Sequence, residues 1–267
     1  MDKAGKKYWD NNWDGSELPE PIRPFDSSLN NYVNFRFHEY FETRLADKLK
    51  RQQPVKLLEI GSAKSAWLPY FNQVHGCQVA GLDYSEYGCE LSRKILDREE
   101  VLAQVYCMDM FKPDEDLLNT FDIVISFGVA EHFENTDECL AAMSGFLKAD
   151  GLLVTNIPNI VGIIGFLQKF IDKKIYDVHV PISLGDIKAV HEKAGLEIES
   201  AEYFLPINLG VLNFDDKKDR WFYPLATRLS SWLSKLVWVF DRNIKRLPAS
   251  AIFSPYIMTV ASKKKKN

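Results

Sequence analysis

The stretch Lys56-Leu-Leu-Glu-Ile-Gly-Ser-Ala-Lys-Ser-Ala-Trp67 constrains this 267-residue chain more than any other. A short apolar run ends in an acid and a glycine, then opens into a helical pattern from near Ser65. That order predicts a buried strand, a tight turn and a helix N-terminus, the geometry by which doubly wound α/β proteins hold nucleotide-like ligands. Two further apolar runs also end in acids, at Asp83 and Asp109.

Strand and helix signals alternate from there. Strands are expected at Lys56 to Ile60, Gln78 to Leu82, Ala103 to Met108, Phe121 to Ser126 and Leu152 to Ile157. Helices are expected between them, at Ser65 to Val74, Ser85 to Glu100, Asp114 to Asn119 and Thr136 to Leu147. Such alternation predicts a parallel sheet covered on both faces. A helix follows at Ser183 to Ala194, then strands at Glu197 to Phe204 and Ser254 to Ser262. Ahead of the first strand, residues 1 to about 26 read as a polar, proline-dotted arm, and Leu29 to Leu49 as a helix. The Lys263 to Lys266 run reads as a solvated, frayed tail.

Net charge is −4, which argues against a dedicated nucleic-acid binder. Cys77, Cys89, Cys107 and Cys139 form no CxxC pair, so neither a zinc site nor a disulfide framework is expected, and a reducing, cytoplasmic setting fits. The N-terminal sequence lacks the apolar core of a signal peptide, and no apolar run approaches the ~20 residues of a membrane span.

Each acid has a binding and a plain reading. Glu59 precedes the small residues Gly61, Ser62 and Ala63, which let a ligand approach the backbone; a ligandless turn has the same look. Asp83 ends the second strand, 24 residues after Glu59, where a carboxylate accepts from a ribose diol. The competing reading, a helix N-cap, suits Ser85 better. Asp109 lies between Met108 and Met110, a setting for an adenine or for a loop acid beside core methionines. All three fall at the carboxyl ends of strands, the ligand-binding edge of such sheets. Asp109 has no specific use in a nicotinamide-binding unit, and Ala63 and Ser65 stand where that unit wants glycine. The ligand inferred is an adenosine without a pyrophosphate.

With these residues in place, the chain resembles the class I S-adenosylmethionine-dependent methyltransferases. Leu-Leu-Glu59-Ile-Gly-Ser-Ala-Lys-Ser resembles their first motif, Gly-Leu-Asp83-Tyr-Ser the ribose motif, and Cys-Met-Asp109-Met-Phe the adenine motif. Phe121 to Phe133 resembles the fourth-strand segment and Leu147 to Asn156 the fifth. The resemblance implies an α/β, doubly wound, mostly parallel seven-stranded sheet with an antiparallel last strand. It implies S-adenosylmethionine as cofactor and S-adenosylhomocysteine as product. Gly61, Ser62 and Ala63 would face the methionine end, Asp83 and Tyr84 the ribose, Asp109 and Met110 the adenine, and Phe127 and Gly128 the region beneath the methyl.

A base is needed only for a weak nucleophile such as a hydroxyl. His132 and His179 are the candidates; His38, His75 and His191 read as packing or surface residues. No His, Asp or Cys cluster has metal-ligand spacing along the chain, so a metal-independent reaction is expected. The division expected is an N-terminal arm and helix over 1–54, a cofactor domain over 55–204 with 251–262, and a helical cap over 205–250 inserted between the last two strands. Within that cap Leu225, Leu229, Trp232, Leu233, Leu236, Val237 and Phe240 form one helical stripe. The stripe suits a lid packed on the sheet, a wall for an apolar or glycosidic small-molecule acceptor, or, least favoured, a membrane-surface contact through 221–246. The expected activity is methyl transfer to a small or metabolite-linked acceptor, at oxygen. A non-catalytic cofactor-binding module and a nicotinamide-dependent oxidoreductase are the alternatives.

Overall fold

Period-two burial along the strands decides the architecture. Leu57 points into one apolar cluster and its neighbour Leu58 into another; Ile123 and Ile125 join the first, Val124 the second. A sheet with two apolar faces requires helices on both. The computed structural model describes residues 2–13, 17–50, 53–214, 221 and 223–264.

In chain order the elements are α1 (Lys6–Trp13), α2 (Tyr32–Arg44), α3 (Ala46–Leu49), β1 (Lys56–Ile60), α4 (Trp67–His75), β2 (Gln78–Asp83), α5 (Glu86–Arg98), β3 (Gln104–Cys107), β4 (Phe121–Phe127), α6 (Thr136–Gly145) and β5 (Leu147–Pro158). They continue with α7 (Ile163–Ile171), α8 (Lys173–Asp177), α9 (Leu184–Lys193), β6 (Leu196–Phe204), α10 (Tyr223–Asn243) and β7 (Tyr256–Lys263). The seven strands run in the order β3-β2-β1-β4-β5-β7-β6. β7 is antiparallel to both its neighbours, β5 and β6, and the other pairs are parallel. The expected doubly wound sheet with an antiparallel last strand is present.

The order reverses at β1 and β4, so the connections leave them on opposite sides and open a crevice at their carboxyl ends. On one face α2 contributes Phe37 and Phe41, which pack on Trp67, Phe127 and Phe204. On the other, Leu140 and Met143 of α6 and Ile187 of α9 fill the second cluster.

Four sequence expectations need correction. The arm contains a helix, α1. Residues 114–119 hold only a short 3-10 turn, Glu115–Leu117, rather than a full helix. Lys263 belongs to β7 and its ammonium donates to Asn119 Oδ1, so only Lys264 of the basic run lies beyond the strand among the described residues. In α10 the stripe faces outward: Ser234, Trp238 and Asp241 are buried, whereas Leu225, Leu229, Trp232, Leu236 and Phe240 are exposed. Val237 is half-buried at the edge of the inner face. Residues 215–220 and Phe222 of the expected cap lie outside the described residues.

Candidate active site

The carboxyl ends of β1, β2 and β4 open into a cavity of about 570 Å³, within the range of small-ligand sites. Gly61 turns the chain out of β1 with φ +78°, a conformation glycine adopts freely. A Cβ there would lie 2.3 Å from Val129 Cγ2, so the absence of a side chain lets the opposite loop come close. Gly61 and Ser62 both donate their N–H to Leu82 O, which ties the turn to β2.

Asp83 lies at the cavity wall with its carboxylate organised by the backbone. Its Oδ2 accepts from Ala63 N at 3.2 Å and its Oδ1 from Ser85 N at 2.8 Å. Burial raises its pKa, partly offset by those donors. Ser85, as expected, caps α5, accepting from Gly88 N. Asp109 is exposed at the rim, where Oδ1 accepts from Phe111 N at 3.0 Å, and Met108 and Met110 flank it in the cavity wall. Phe127 stacks on Trp67 with centroids 5.4 Å apart, and Gly128, at φ +72°, donates its N–H to Asn156 O.

Ser62 and Glu59 are placed differently from the rest. Ser62 is buried beneath the turn, its carbonyl and hydroxyl engaged by Ser92 Oγ at 2.6 and 3.0 Å, and it does not line the cavity. Its small size lets the turn pack against Ser92 of α5 and close over Gly81 of β2, where a Cβ would lie 2.6 Å from Ser62 Oγ. Glu59 is also buried behind the turn. Its Oε1 accepts from Ser65 Oγ at 2.6 Å, while Oε2 has no partner. Desolvation pushes its pKa up to about 8.

The two histidines are brought together from 47 positions apart. Their rings are 4.6 Å apart between centroids, but only His132 lines the cavity; His179 stands behind it. His132 Nδ1 lies 2.9 Å from Val178 O and His179 Nδ1 lies 2.6 Å from Ile175 O. A carbonyl only accepts, so Nδ1 carries the hydrogen in each neutral ring and Nε2 keeps its lone pair. Desolvation, with His179 adding repulsion, lowers the His132 pKa to about 4; desolvation also lowers that of His179.

Sequence reasoning missed two contributors. Glu131, beside His132, is 1% exposed with Oε2 unpartnered, and burial raises its pKa to about 8. With His132 and His179 it gathers three ligand-type atoms within 4.8 Å; His38, Glu42 and His75 do the same elsewhere. Spacing along the chain could not reveal either group, because tertiary contacts assemble both.

The second contributor is the N-terminal segment. Asp2, Trp9 and Trp13 line the cavity. Asp2 Oδ2 accepts from Tyr84 OH at 2.6 Å, Asp10 Oδ1 from Ser85 Oγ at 2.6 Å, and Trp9 meets His132 edge-on at 5.0 Å. The aromatic residues embedded in a polar arm were the available signal. Among the described residues, none from α10 lines this cavity, so that helix is not the acceptor wall entertained from sequence.

Residues 58–155 match the family model described as a methyltransferase domain. No curated protein matches the sequence. Among solved structures, geranyl diphosphate C-methyltransferase from Streptomyces coelicolor, with Mg²⁺, geranyl diphosphate and S-adenosylhomocysteine, is 11% identical. It aligns over 97% of this chain and 98% of its own, with a TM-score of 0.60. Phosphoethanolamine N-methyltransferase 2 from Haemonchus contortus, with S-adenosylmethionine, is 18% identical over 90% of this chain and 58% of its own, at a TM-score of 0.57. The [4+2]-cyclase SpnF is 13% identical over 98% and 96%, at 0.58. At such identities the structural likeness establishes the fold, and the family match adds the activity. The chain carries a class I methyltransferase domain whose cofactor is S-adenosylmethionine.

Proposed function

We propose that the protein moves a methyl group from S-adenosylmethionine to an oxygen of a small or metabolite-linked acceptor, by in-line displacement without a metal. The observation that carries this reading is His132, a neutral imidazole in the cavity wall with its free lone pair at Nε2. Orientation of the reactants can contribute up to roughly 7–11 kcal/mol to such a step, and a positioned base serves a hydroxyl acceptor.

The residues fit the cofactor. The unpartnered Oε2 of Glu59 suits the ammonium of the methionine end, and Ala63, with Gly61, keeps the turn small enough for close approach. Asp83 accepts from the ribose diol, with Tyr84 beside it; Asp109 and Met110 hold the adenine. Phe127 and Gly128 line the floor below the methyl. When bound, the cofactor supplies an activated methyl whose leaving group is a neutral thioether. His132 Nε2 takes the hydroxyl proton of the acceptor. His179 positions His132 through ring contact and limits its basicity by repulsion. Trp9, Trp13, Phe111 and Phe133 give the remaining wall an aromatic character suited to an apolar acceptor.

The test is transfer from isotopically labelled cofactor into a small-metabolite extract, with products located by mass spectrometry and repeated after chelator treatment. An O-methyl product formed at unchanged rate after chelation is expected. Methylation at nitrogen or carbon, or a rate abolished by the chelator, overturns the oxygen or the metal-free assignment respectively.

A further inference from the structure

Helix α10 is built inside out. Its buried positions 234, 238 and 241 recur at i, i+4 and i+7, and they are held by polar contacts. Asp241 Oδ2 accepts from Tyr32 OH at 2.7 Å and from Arg36 at 2.9 Å, while Oδ1 accepts from Leu247 N at 2.7 Å. Ser234 Oγ accepts from Leu209 N at 2.9 Å. Trp238 stacks on Tyr32 at 4.9 Å and donates Nε1–H to Ile207 O.

Positions 225, 229, 232, 236 and 240 follow the same helical repeat, about 200° round the axis from Ser234. Leu225 is 64% exposed and Trp232 57%. A soluble helix hides its apolar face, so an apolar face turned outward marks a contact surface.

A second patch lies at the same sheet edge. Pro158, Tyr256 and Phe204 pair side by side, so α7, which follows β5, and the segment leading to α10, which follows β6, both leave from the carboxyl edge that holds the cavity. Phe166 and Phe170 of α7 are exposed, the latter by 74%. Gln168 on the inner side of α7 exchanges two hydrogen bonds with the backbone of Asn213, in the same connector that bonds Ser234 through Leu209.

Charge selects the occupant. Residues 221–250 contain Arg228, Lys235, Arg242, Lys245 and Arg246 against one acid, Asp241, in a chain of net charge −4; Asp241 is buried and paired, and Arg246 is taken up by Asp241 and Glu39, which leaves four cations. Arg228 is exposed next to Leu229 of the stripe, and Arg242, which also donates to Ser27 O, and Lys245 are exposed at the C-terminal end of the helix. In a two-fold contact between copies this patch would meet itself and set like charges against each other. A bilayer containing anionic lipid offers an apolar interior beneath a negative surface and matches both features.

We propose that the outward face of α10, with the exposed phenylalanines of α7, docks the protein on the surface of an anionic bilayer and brings the sheet edge that holds the cavity to it. This surface does not depend on the methyl-transfer reading.

The test is flotation of the full chain with phosphatidylcholine vesicles, with and without phosphatidylglycerol, at low and high salt. Trp232→Glu/Leu236→Glu is the disrupting variant, and Leu102→Glu, which changes an exposed leucine elsewhere, is the control. Binding to the anionic vesicles is expected, at least roughly tenfold weaker to neutral ones, in high salt, and in the double variant. Leu102→Glu should bind like the parent, and unchanged S-adenosylhomocysteine affinity and melting will show that both variants fold. Absence of binding by the parent, equal binding to both vesicle types, or equal binding by the double variant overturns the proposal. So does a concentration-dependent dimer that the double variant dissolves without any vesicle binding.

Discussion

Replacing Gly61 by alanine asks whether the turn after β1 is shaped for a ligand or merely for the chain. Two penalties apply there. The first is conformational: φ is +78°, and a side chain in the left-handed region costs roughly 1–2 kcal/mol. The second is steric, because the new Cβ would lie 2.3 Å from Val129 Cγ2, whereas carbon atoms rest about 3.5–4.0 Å apart. Val129 is stiff at χ1, and forcing it off its rotamer adds about 0.5–1.5 kcal/mol. The total is about 1.5–3.5 kcal/mol. Gly76→Ala separates the two, since Gly76 has φ +67° but nothing within 4 Å of its Cβ. That variant should lose only about 1–2 kcal/mol of stability and keep its cofactor affinity. Denaturant unfolding and S-adenosylhomocysteine titration on both variants give the comparison. Gly61→Ala is expected to lose more stability than Gly76→Ala and at least tenfold in affinity, because Val129 lines the cavity it must shift within. Equal stability losses, or unchanged affinity in Gly61→Ala, would refute the close-approach reasoning.

Three further outcomes follow from the site. Asp83→Ala should weaken cofactor binding and also destabilise the fold by about 1–3 kcal/mol for each amide left unpaired, because Ala63 N and Ser85 N both donate to that carboxylate; a variant with parental unfolding and affinity contradicts this. Glu59, with its pKa near 8, is largely protonated at neutral pH, so placing an ammonium beside it should release close to one proton; binding heats that do not vary with the ionisation heat of the buffer would exclude the contact. His132 has a folded-state pKa near 4 against an ordinary value of 6.5, so its contribution to stability is present above pH 6.5 and is lost as pH falls toward 4; between those values the slope of unfolding free energy against pH should be lower in His132→Leu than in the parent by about 1.4 kcal/mol per pH unit, and parallel profiles would contradict this.

The sheet was legible because its strands are short apolar runs bounded by glycine and acids, and the two-sided burial makes each strand recognisable on its own. The first strand was placed at Lys56–Ile60, where it lies, and Gly61, Asp83, Asp109 and Phe127 fall on the cavity because strand ends fix positions to within a residue. What escaped the sequence depends on which way an element turns and what it meets. The stripe on α10 was visible, but periodicity does not say which face is inward; Tyr32, Arg36 and Leu209 decide that by holding Asp241 and Ser234. Helix α1 has weak local signals and is placed by Asp2, Asp10 and Trp9 reaching Tyr84, Ser85 and His132. Ser62 looked like a ligand contact because it is small; its neighbour Ser92 takes it instead.

The most direct test of the central claim is titration calorimetry of the full chain with S-adenosylhomocysteine, with NADH as the control. One-to-one binding with a dissociation constant of about micromolar, and no heat with NADH, is the expected result. A folded protein that ignores S-adenosylhomocysteine, or that binds NADH as well, would contradict the assignment of the pocket.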